Sequence, residues 1–211
     1  MAGTDGRSPW PGTLAVGTAL VLGAWLLHDG GRSVLPPSPG AAQAGFGAVS
    51  VVPPLGPSAP TRIRIPAAQL DAPVTGLGLD AEGHLEPPPE NDRNLAGWYR
   101  GAATPGQRGT AILAGHVDTR SGPAVFYGLG ALHRGDRVEI ARRDGSTAGF
   151  QIYAIEVYDK QRFPDARVYG QAADAQLRLI TCGGGFSQAD GYRGNVVAYA
   201  FLTDTVAAKK A

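Results

Sequence analysis

The stretch Gln176-Leu177-Arg178-Leu179-Ile180-Thr181-Cys182-Gly183-Gly184-Gly185 ends an apolar run with the single cysteine of the chain. Short runs rich in branched apolar residues are typical of buried strands, so the sequence predicts a strand over Leu177–Cys182. A glycine run directly after a strand leaves the backbone open to a ligand that lies against it. We therefore expect the thiol at a strand end, beside accessible backbone.

Seven further short strands are predicted on either side of this one. They are Thr61–Ile65, Ala72–Val74, Leu95–Tyr99, Thr110–Val117, Arg137–Ala141, Gly149–Tyr158 and Asn195–Phe201. The first alternates polar and apolar residues, as a half-buried strand does, and Gly, Pro, Asp and Asn fill the gaps between strands. The segments Asp80–His84 and Arg143–Ser146 have the composition of hairpin turns.

The fold class follows from this pattern of elements. No long stretch has helical periodicity, although Val125–Leu132 and Ala172–Ala175 could each form a short helix. Many short strands joined by Gly- and Pro-rich turns indicate an all-β domain, a closed barrel or a sandwich. The domain is expected over residues 61–205, which is long enough for a core without disulfides.

Composition excludes one class of partner. The chain has 211 residues and a net charge of +1, so it lacks the positive field that nucleic-acid binding requires. The length allows one domain of ordinary size with tails.

The N-terminal segment Ser8–Leu27 contains no charged residue. A transmembrane helix needs about 20 mostly apolar residues, and Trp10 and Trp25 at its ends fit interfacial anchoring. The continuous apolar part, Thr13–Leu27, would also suit a cleaved signal peptide. Because the small-residue cleavage candidate Ala42-Gln43-Ala44 lies far downstream, we favour an uncleaved signal anchor within residues 1–30. The chain is then a single-pass membrane protein with its C-terminal domain outside the cell.

Residues 31–60 are rich in Pro, Gly and Ala and lack periodicity, which predicts an extended spacer. At about 3 Å per residue, such a spacer could hold a domain up to about 90 Å from the bilayer. Residues 206–211 are expected to be a frayed tail. A lone cysteine outside the cell cannot form an intramolecular disulfide, so Cys182 is an inert buried thiol, an intermolecular link or a nucleophile.

Three reactive side chains lie at predicted strand ends. His116 closes the strand that precedes it, Cys182 closes its own, and Arg193 lies beside the start of the next. Each residue taken alone has a structural explanation: a buried small hydrophobe, a satisfied interior histidine and a surface ion-pair partner. Their combination with the glycine run favours a thiol active site, provided that the barrel brings the three strands together.

Several motifs resemble those of a known family. Gly115-His116-Val117-Asp118, Leu179-Ile180-Thr181-Cys182 and the downstream Arg193 are similar to the His, Cys and Arg motifs of the sortases. The glycine loop with Phe186, followed by Tyr192-Arg193-Gly194-Asn195-Val196-Val197, most resembles the class F sortases of actinobacteria.

The resemblance extends from about Ile63 to Leu202 and includes Gly97-Trp98-Tyr99 and Phe163–Gly170. The order of anchor, spacer and barrel is also usual for the family. Arg178 replaces the first threonine of the family's Thr-Leu-x-Thr-Cys motif, at a position away from the thiol. The resemblance implies an eight-stranded sortase-type barrel.

The implied activity is transpeptidation. A sortase cleaves a Leu-Pro-x-Thr-Gly-like sorting signal between Thr and Gly and transfers the acyl group to an amine of a peptidoglycan precursor or a pilin. Its partners are surface proteins that carry a C-terminal signal. Cys182 would be the nucleophile, His116 the proton carrier and Arg193 a donor to the oxyanion or to a substrate carbonyl.

Four further residues are weaker candidates. Phe163 and Val168 lie in the loop that shapes the sorting-signal groove in sortases, and Thr181 precedes the cysteine. The alternative for the loop residues is packing onto the barrel. Asp118 follows His116 by two residues, projects to the same side of an extended chain, and is a candidate to orient the imidazole.

No metal and no cofactor is predicted. A structural zinc site requires clustered Cys and His, and this sequence has one cysteine and scattered histidines. Some sortases hold calcium with loop carboxylates, for which Glu90 and Asp92 offer little support.

Two other classes of cysteine enzyme fit the sequence less well. In papain-like proteases the cysteine precedes the histidine, whereas here His116 comes first. An L,D-transpeptidase would have His-Gly-Cys near its nucleophile, which this chain lacks. The remaining alternatives are a non-catalytic peptide-binding barrel and a purely hydrolytic enzyme without an amine acceptor.

Overall fold

Ten strands form within the described residues, most of them where apolar residues alternate between two faces. The computed structural model describes residues 35–45, 52–189 and 191–208. The strands are β1 Pro60–Ile65, β2 Leu70–Leu77, β3 Ala96–Tyr99, β4 Gly109–Ala114, β5 Asp118–Thr119, β6 Gly122–Pro123, β7 Arg137–Arg142, β8 Thr147–Asp159, β9 Ala175–Ser187 and β10 Gly191–Val206. All eight predicted strands are present, and β5 and β6 form an additional small hairpin.

Eight of the strands close into a barrel in the order β1-β2-β3-β4-β9-β10-β8-β7, with β7 pairing back to β1. Most pairs are antiparallel, but β2 with β3 and β4 with β9 are parallel. The prediction of an all-β closed barrel is confirmed. The β4–β9 pair decides the position of the site, because it places two strands that are distant in sequence side by side.

The barrel has an apolar cluster on each side of its wall. The interior cluster includes Ile63, Leu113, Phe150, Leu179 and Leu202, which are fully buried. A second cluster covers part of the outer surface and consists of Ile112, Ala154, Val168, Ile180, Val197 and Tyr199. Successive strand residues face opposite sides, so one strand can contribute to both clusters. We call the second group the outer cluster.

Helical structure differs from the prediction in one place. Val125–Leu132 contains the short 3-10 helix Tyr127–Ala131, as expected for that segment. No helix forms at Ala172–Ala175, where the Asp174 carbonyl instead accepts a hydrogen bond from Gly109 N at 2.9 Å and β9 begins. An α-helix lies just before, at Asp165–Tyr169. Further 3-10 turns are Ala41–Gln43, Pro66–Ala68 and Lys160–Arg162.

The predicted anchor, residues 8–27, lies outside the described residues. Within the described part of the chain, no helix has the length and apolarity to cross a membrane.

Part of the predicted spacer packs against the barrel. A Cβ added to Gly130 would lie 2.0 Å from the Pro37 carbonyl oxygen, so only glycine permits this approach. Gln43 Oε1 accepts a hydrogen bond from Arg134 N at 2.8 Å, and Leu55 N donates to Gly106 O at 2.8 Å. Segments of the predicted spacer therefore pack against the barrel, whereas composition alone predicts an extended chain.

The side chain of Arg142 holds the predicted spacer against the barrel at Gly56. Its guanidinium is buried, donates to Gly56 O and to Ser146 Oγ, and lies 3.5 Å from Asp144 Oδ2. We expect Arg142→Ala to lower the free energy of unfolding by about 1–3 kcal/mol, because two acceptors lose their donor. Urea denaturation of the full chain followed by tryptophan fluorescence measures this loss. Arg143→Ala, at an exposed neighbouring position, is the matched control, and equal stability of the two variants would contradict the assignment.

Candidate active site

Strand β9 places Cys182 on the outer surface of the barrel. The alternation along β9 directs Leu179 into the barrel and Ile180 into the outer cluster, so Cys182 shares the outer face with Ile180. Cys182 pairs with Asn195 on β10 and is half-buried. The thiol is therefore accessible from outside the barrel while its base is enclosed.

The glycine run after the cysteine is a bulge within a longer strand. Between the pairs Cys182–Asn195 and Phe186–Tyr192, β9 contains one residue more than β10. Gly184 and Gly185 accommodate the extra residue with φ values of +75° and +92°, which residues other than glycine rarely adopt. The prediction that the strand ends at Cys182 is thus wrong, because the ladder continues to Ser187.

Arg193 lies within β10, two residues before Asn195. Residues two apart on a strand share a face, so Arg193 lies on the same outer surface as Cys182, opposite the bulge. Its side chain is exposed to solvent. This position makes the guanidinium available to a molecule bound at the thiol.

Parallel pairing between β4 and β9 brings His116 to the same region. Ala114 pairs with Ile180, Gly115 N donates to Ile180 O at 3.1 Å, and Thr181 Oγ1 donates to Gly115 O at 2.8 Å. These bonds hold the chain just before His116 beside the chain just before Cys182. The structure therefore brings together the Cys, His and Arg segments that the sequence singled out.

The imidazole of His116 is held by the loop between β2 and β3. His116 Nε2 lies 2.7 Å from the carbonyl oxygen of Pro88, which is buried. A carbonyl oxygen only accepts hydrogen bonds, so Nε2 carries a proton and donates it. Nδ1 is then the ring nitrogen left to exchange a proton with a substrate.

Asp118 does not have the partner predicted for it. Its carboxylate accepts a hydrogen bond from the hydroxyl of Tyr192, the residue directly before Arg193, while His116 is held by Pro88. Sequence reasoning missed Tyr192 as a member of the site. The one available signal was its adjacency to Arg193, which by itself assigns no role.

Electrostatics at the thiol favour the protonated form. Burial raises the pKa of Cys182, the charge of Asp118 adds to that rise, and the charge of Lys160 opposes it. Burial also raises the pKa of Tyr192, and its hydrogen bond to Asp118 acts in the same direction. Both groups therefore remain protonated at neutral pH in this state, so the thiol needs a base when it reacts.

The weaker binding candidates lie below the surface of the site. Val168 is fully buried in the outer cluster, and Thr181 is buried with its hydroxyl bonded to Gly115 O. Phe163 is half-buried, and its ring packs 5.8 Å from the rings of both Tyr158 and Tyr169. Val168 and Thr181 thus support the site from beneath, and packing accounts for the position of Phe163.

A cavity of about 450 Å³ opens on the same outer face. Its walls come from the β2–β3 loop, β3, β4 and the helix Asp165–Tyr169, and its apolar lining includes Leu79, Leu85, Tyr99, Ile112 and Tyr169. Ile112 on β4 pairs with Arg178 on β9, so the cavity lies four residues along the sheet from Cys182. Leu79 and Tyr169 are exposed apolar residues at its edge.

The described residues contain no group of three or more His, Cys, Asp or Glu side chains placed to hold a metal ion.

Comparisons of the sequence with family models and of the structure with solved structures both match sortases. The family model described as the sortase domain matches residues 63–203. Sortase A of Listeria monocytogenes is 20% identical with a TM-score of 0.53, covering 70% of this chain and 89% of that chain. A lid mutant of sortase A from Corynebacterium diphtheriae is 20% identical with a TM-score of 0.52, covering 71% and 73%.

Sortase C1 of Streptococcus agalactiae, in complex with MTSET, is 19% identical with a TM-score of 0.51, covering 69% of this chain and 67% of that chain. No curated protein matches the sequence. The family match spans nearly the whole barrel, including the His116, Cys182 and Arg193 segments. The chain therefore belongs to the sortase family of cell-wall transpeptidases.

Proposed function

We propose that this chain is a cysteine transpeptidase that cleaves a Leu-Pro-x-Thr-Gly-like sorting signal between Thr and Gly. The observation that carries the proposal is the convergence of Cys182, the His116 segment and Arg193 on one outer face of the barrel. A thiol suits amide exchange because it divides the reaction into two steps through a thioester.

In the first step His116 takes the thiol proton and Cys182 attacks the threonine carbonyl carbon. The tetrahedral intermediate collapses with rupture of the Thr–Gly C–N bond, and His116 returns the proton to the leaving glycine amine. Since the thiol pKa is raised, this proton transfer accompanies the attack. Nδ1 is the nitrogen that carries the proton, because Nε2 is engaged by Pro88.

In the second step an amine attacks the thioester carbonyl. His116 accepts the amine proton, an amide bond forms, and Cys182 leaves with its bonding electron pair and is reprotonated. Arg193 donates to the carbonyl oxygen in both tetrahedral intermediates, and its fixed charge stabilises the oxyanion there. Water in place of the amine would give hydrolysis.

Spacing along the sheet supports the choice of peptide. Four residues at about 3.3 Å each put the cavity about 13 Å from the thiol. In an extended Leu-Pro-x-Thr-Gly peptide, the leucine lies three residues before the threonine, or about 10 Å away. The leucine side chain would therefore extend toward the apolar lining of the cavity while the threonine carbonyl lies at Cys182.

The proposed partners follow from this reaction. The donors are surface proteins with a C-terminal sorting signal, and the acceptor is an amine of a peptidoglycan precursor or of a pilin. The uncharged segment Ser8–Leu27 would anchor the enzyme in the cell membrane with its barrel outside, where both substrates occur.

The proposal is tested by incubating the full chain with a Leu-Pro-x-Thr-Gly peptide and an amine, followed by mass spectrometry. We expect a thioester on Cys182 and an amide product. A peptide with Leu changed to Ala should lose about 10–200-fold in kcat/KM, because the cavity loses apolar contact. A change at the x position is the matched control. If no peptide acylates the thiol, the chain is a binding barrel and the proposal is wrong.

A further inference from the structure

We propose that Tyr192 is a positioning residue whose hydrogen bond to Asp118 fixes the hairpin that carries Arg193 against the loop that carries His116. This inference rests on the proposed transpeptidase function. The two segments approach the thiol from opposite sides. Tyr192, which directly precedes Arg193, donates to Asp118, which lies two positions after His116, and this bond joins the segments.

The loop on the histidine side is held by backbone bonds. Asp118 pairs with Pro123 in the β5–β6 hairpin, and Ala124 N donates to Val117 O at 3.0 Å. Phe126 N donates to His116 O, also at 3.0 Å. Asp118 is therefore a fixed acceptor, whose position is tied to that of the histidine.

The hairpin on the arginine side is held by strand pairing on both edges, since Gly194 pairs with Gly183 on β9 and with Asp159 on β8. Three glycines with positive φ, Gly184, Gly185 and Gly191, lie in or beside its tip. Glycine leaves the backbone more conformational freedom than any other residue. The pairing of β9 with β4 ends at Ile180, before this hairpin begins. Beyond the end of that pairing, the hydrogen bond from Tyr192 to Asp118 connects this hairpin to the histidine loop.

Tyr192 makes two contacts that hold this hairpin. Its ring packs edge-on against Phe186 across the hairpin, with centroids 5.1 Å apart, and its hydroxyl donates to the Asp118 carboxylate. The first contact connects the two strands of the hairpin, and the second connects the hairpin to the histidine loop. A hydrogen bond to an ionised carboxylate is shorter and stronger than one between neutral groups.

The test replaces the hydroxyl alone. Tyr192→Phe retains the ring contact with Phe186, and we expect kcat/KM for transfer to fall by about 10–100-fold, mainly through kcat, with the fold retained. Asp118→Ala should cause a similar loss, and the double variant should be no worse than either single variant. Asp118→Asn retains an acceptor oxygen and should recover part of the activity. Tyr153→Phe is the matched control, because its hydroxyl donates at 3.1 Å to Gln176, away from the thiol.

A second readout does not require a peptide substrate. Iodoacetate is anionic and iodoacetamide is neutral, so the ratio of their alkylation rates at Cys182 reports the positive charge near the thiol, to which Lys160 contributes in every variant. Arg193→Ala sets the low value, and we expect Tyr192→Phe to lower the ratio toward it, by up to about fivefold, while Tyr153→Phe leaves it unchanged.

The outcomes separate the two proposals. An unchanged rate ratio in Tyr192→Phe overturns the positioning role, whether or not a peptide reacts. A lowered ratio in a protein that no peptide acylates leaves the role of Tyr192 in place and removes the transpeptidase function. Additive losses in the double variant would also overturn the coupling between Tyr192 and Asp118.

Discussion

Cys182→Ala is expected to abolish both the thioester and the transfer product, with a fall in kcat of about 10⁶-fold or to the background rate. No other cysteine can replace it, since the chain has only this one. The half-buried thiol on the outer face is open to attack on a bound peptide. Intact-mass measurement of the acyl-enzyme and chromatography of the products measure the two losses.

A serine variant tests whether the loss is chemical. Cys182→Ser retains the size and hydrogen-bonding capacity of the side chain, yet a hydroxyl is a much weaker nucleophile than a thiol, so its activity should remain at background. Both variants should bind peptide with the wild-type dissociation constant and unfold at the wild-type temperature. Turnover within tenfold of wild type in either variant would show that the reaction does not proceed through Cys182.

The strands were predictable because each has a local sequence pattern that indicates a strand. Alternation in Thr61–Ile65 and the branched run Leu177–Cys182 each specify a strand without reference to the rest of the chain. Which strands become neighbours is a separate matter. The parallel pairing of β4 with β9, which brings His116 to Cys182, depends on a connection of about 60 residues that leaves no local signal.

The details of the site could not be predicted, because they too depend on contacts between residues that are distant in the sequence. The bulge at Gly184 and Gly185 depends on the register between β9 and β10, which residue composition does not reveal. The bond between Tyr192 and Asp118 joins residues 74 positions apart. The helix Asp165–Tyr169 was missed because five residues are too few to show a helical period.

Arg193→Ala is expected to lower kcat/KM by about 10²–10³-fold, the loss that accompanies removal of one oxyanion donor, equivalent to about 2.7–4 kcal/mol. Arg193 is exposed and lies on the same face as Cys182, opposite the glycine bulge, so its removal should leave the fold intact. The loss should therefore fall on the acylation step, which single-turnover formation of the thioester measures.

Two variants distinguish oxyanion stabilisation from a general effect of charge. Arg193→Lys retains the positive charge but loses the planar fork of donors, so its acylation rate should lie between those of wild type and Arg193→Ala. Arg143→Ala removes an exposed arginine in the β7–β8 turn and should acylate at the wild-type rate. If Arg193→Ala raised KM alone and left kcat unchanged, the guanidinium would hold the substrate equally in ground state and transition state, and the oxyanion role would be wrong.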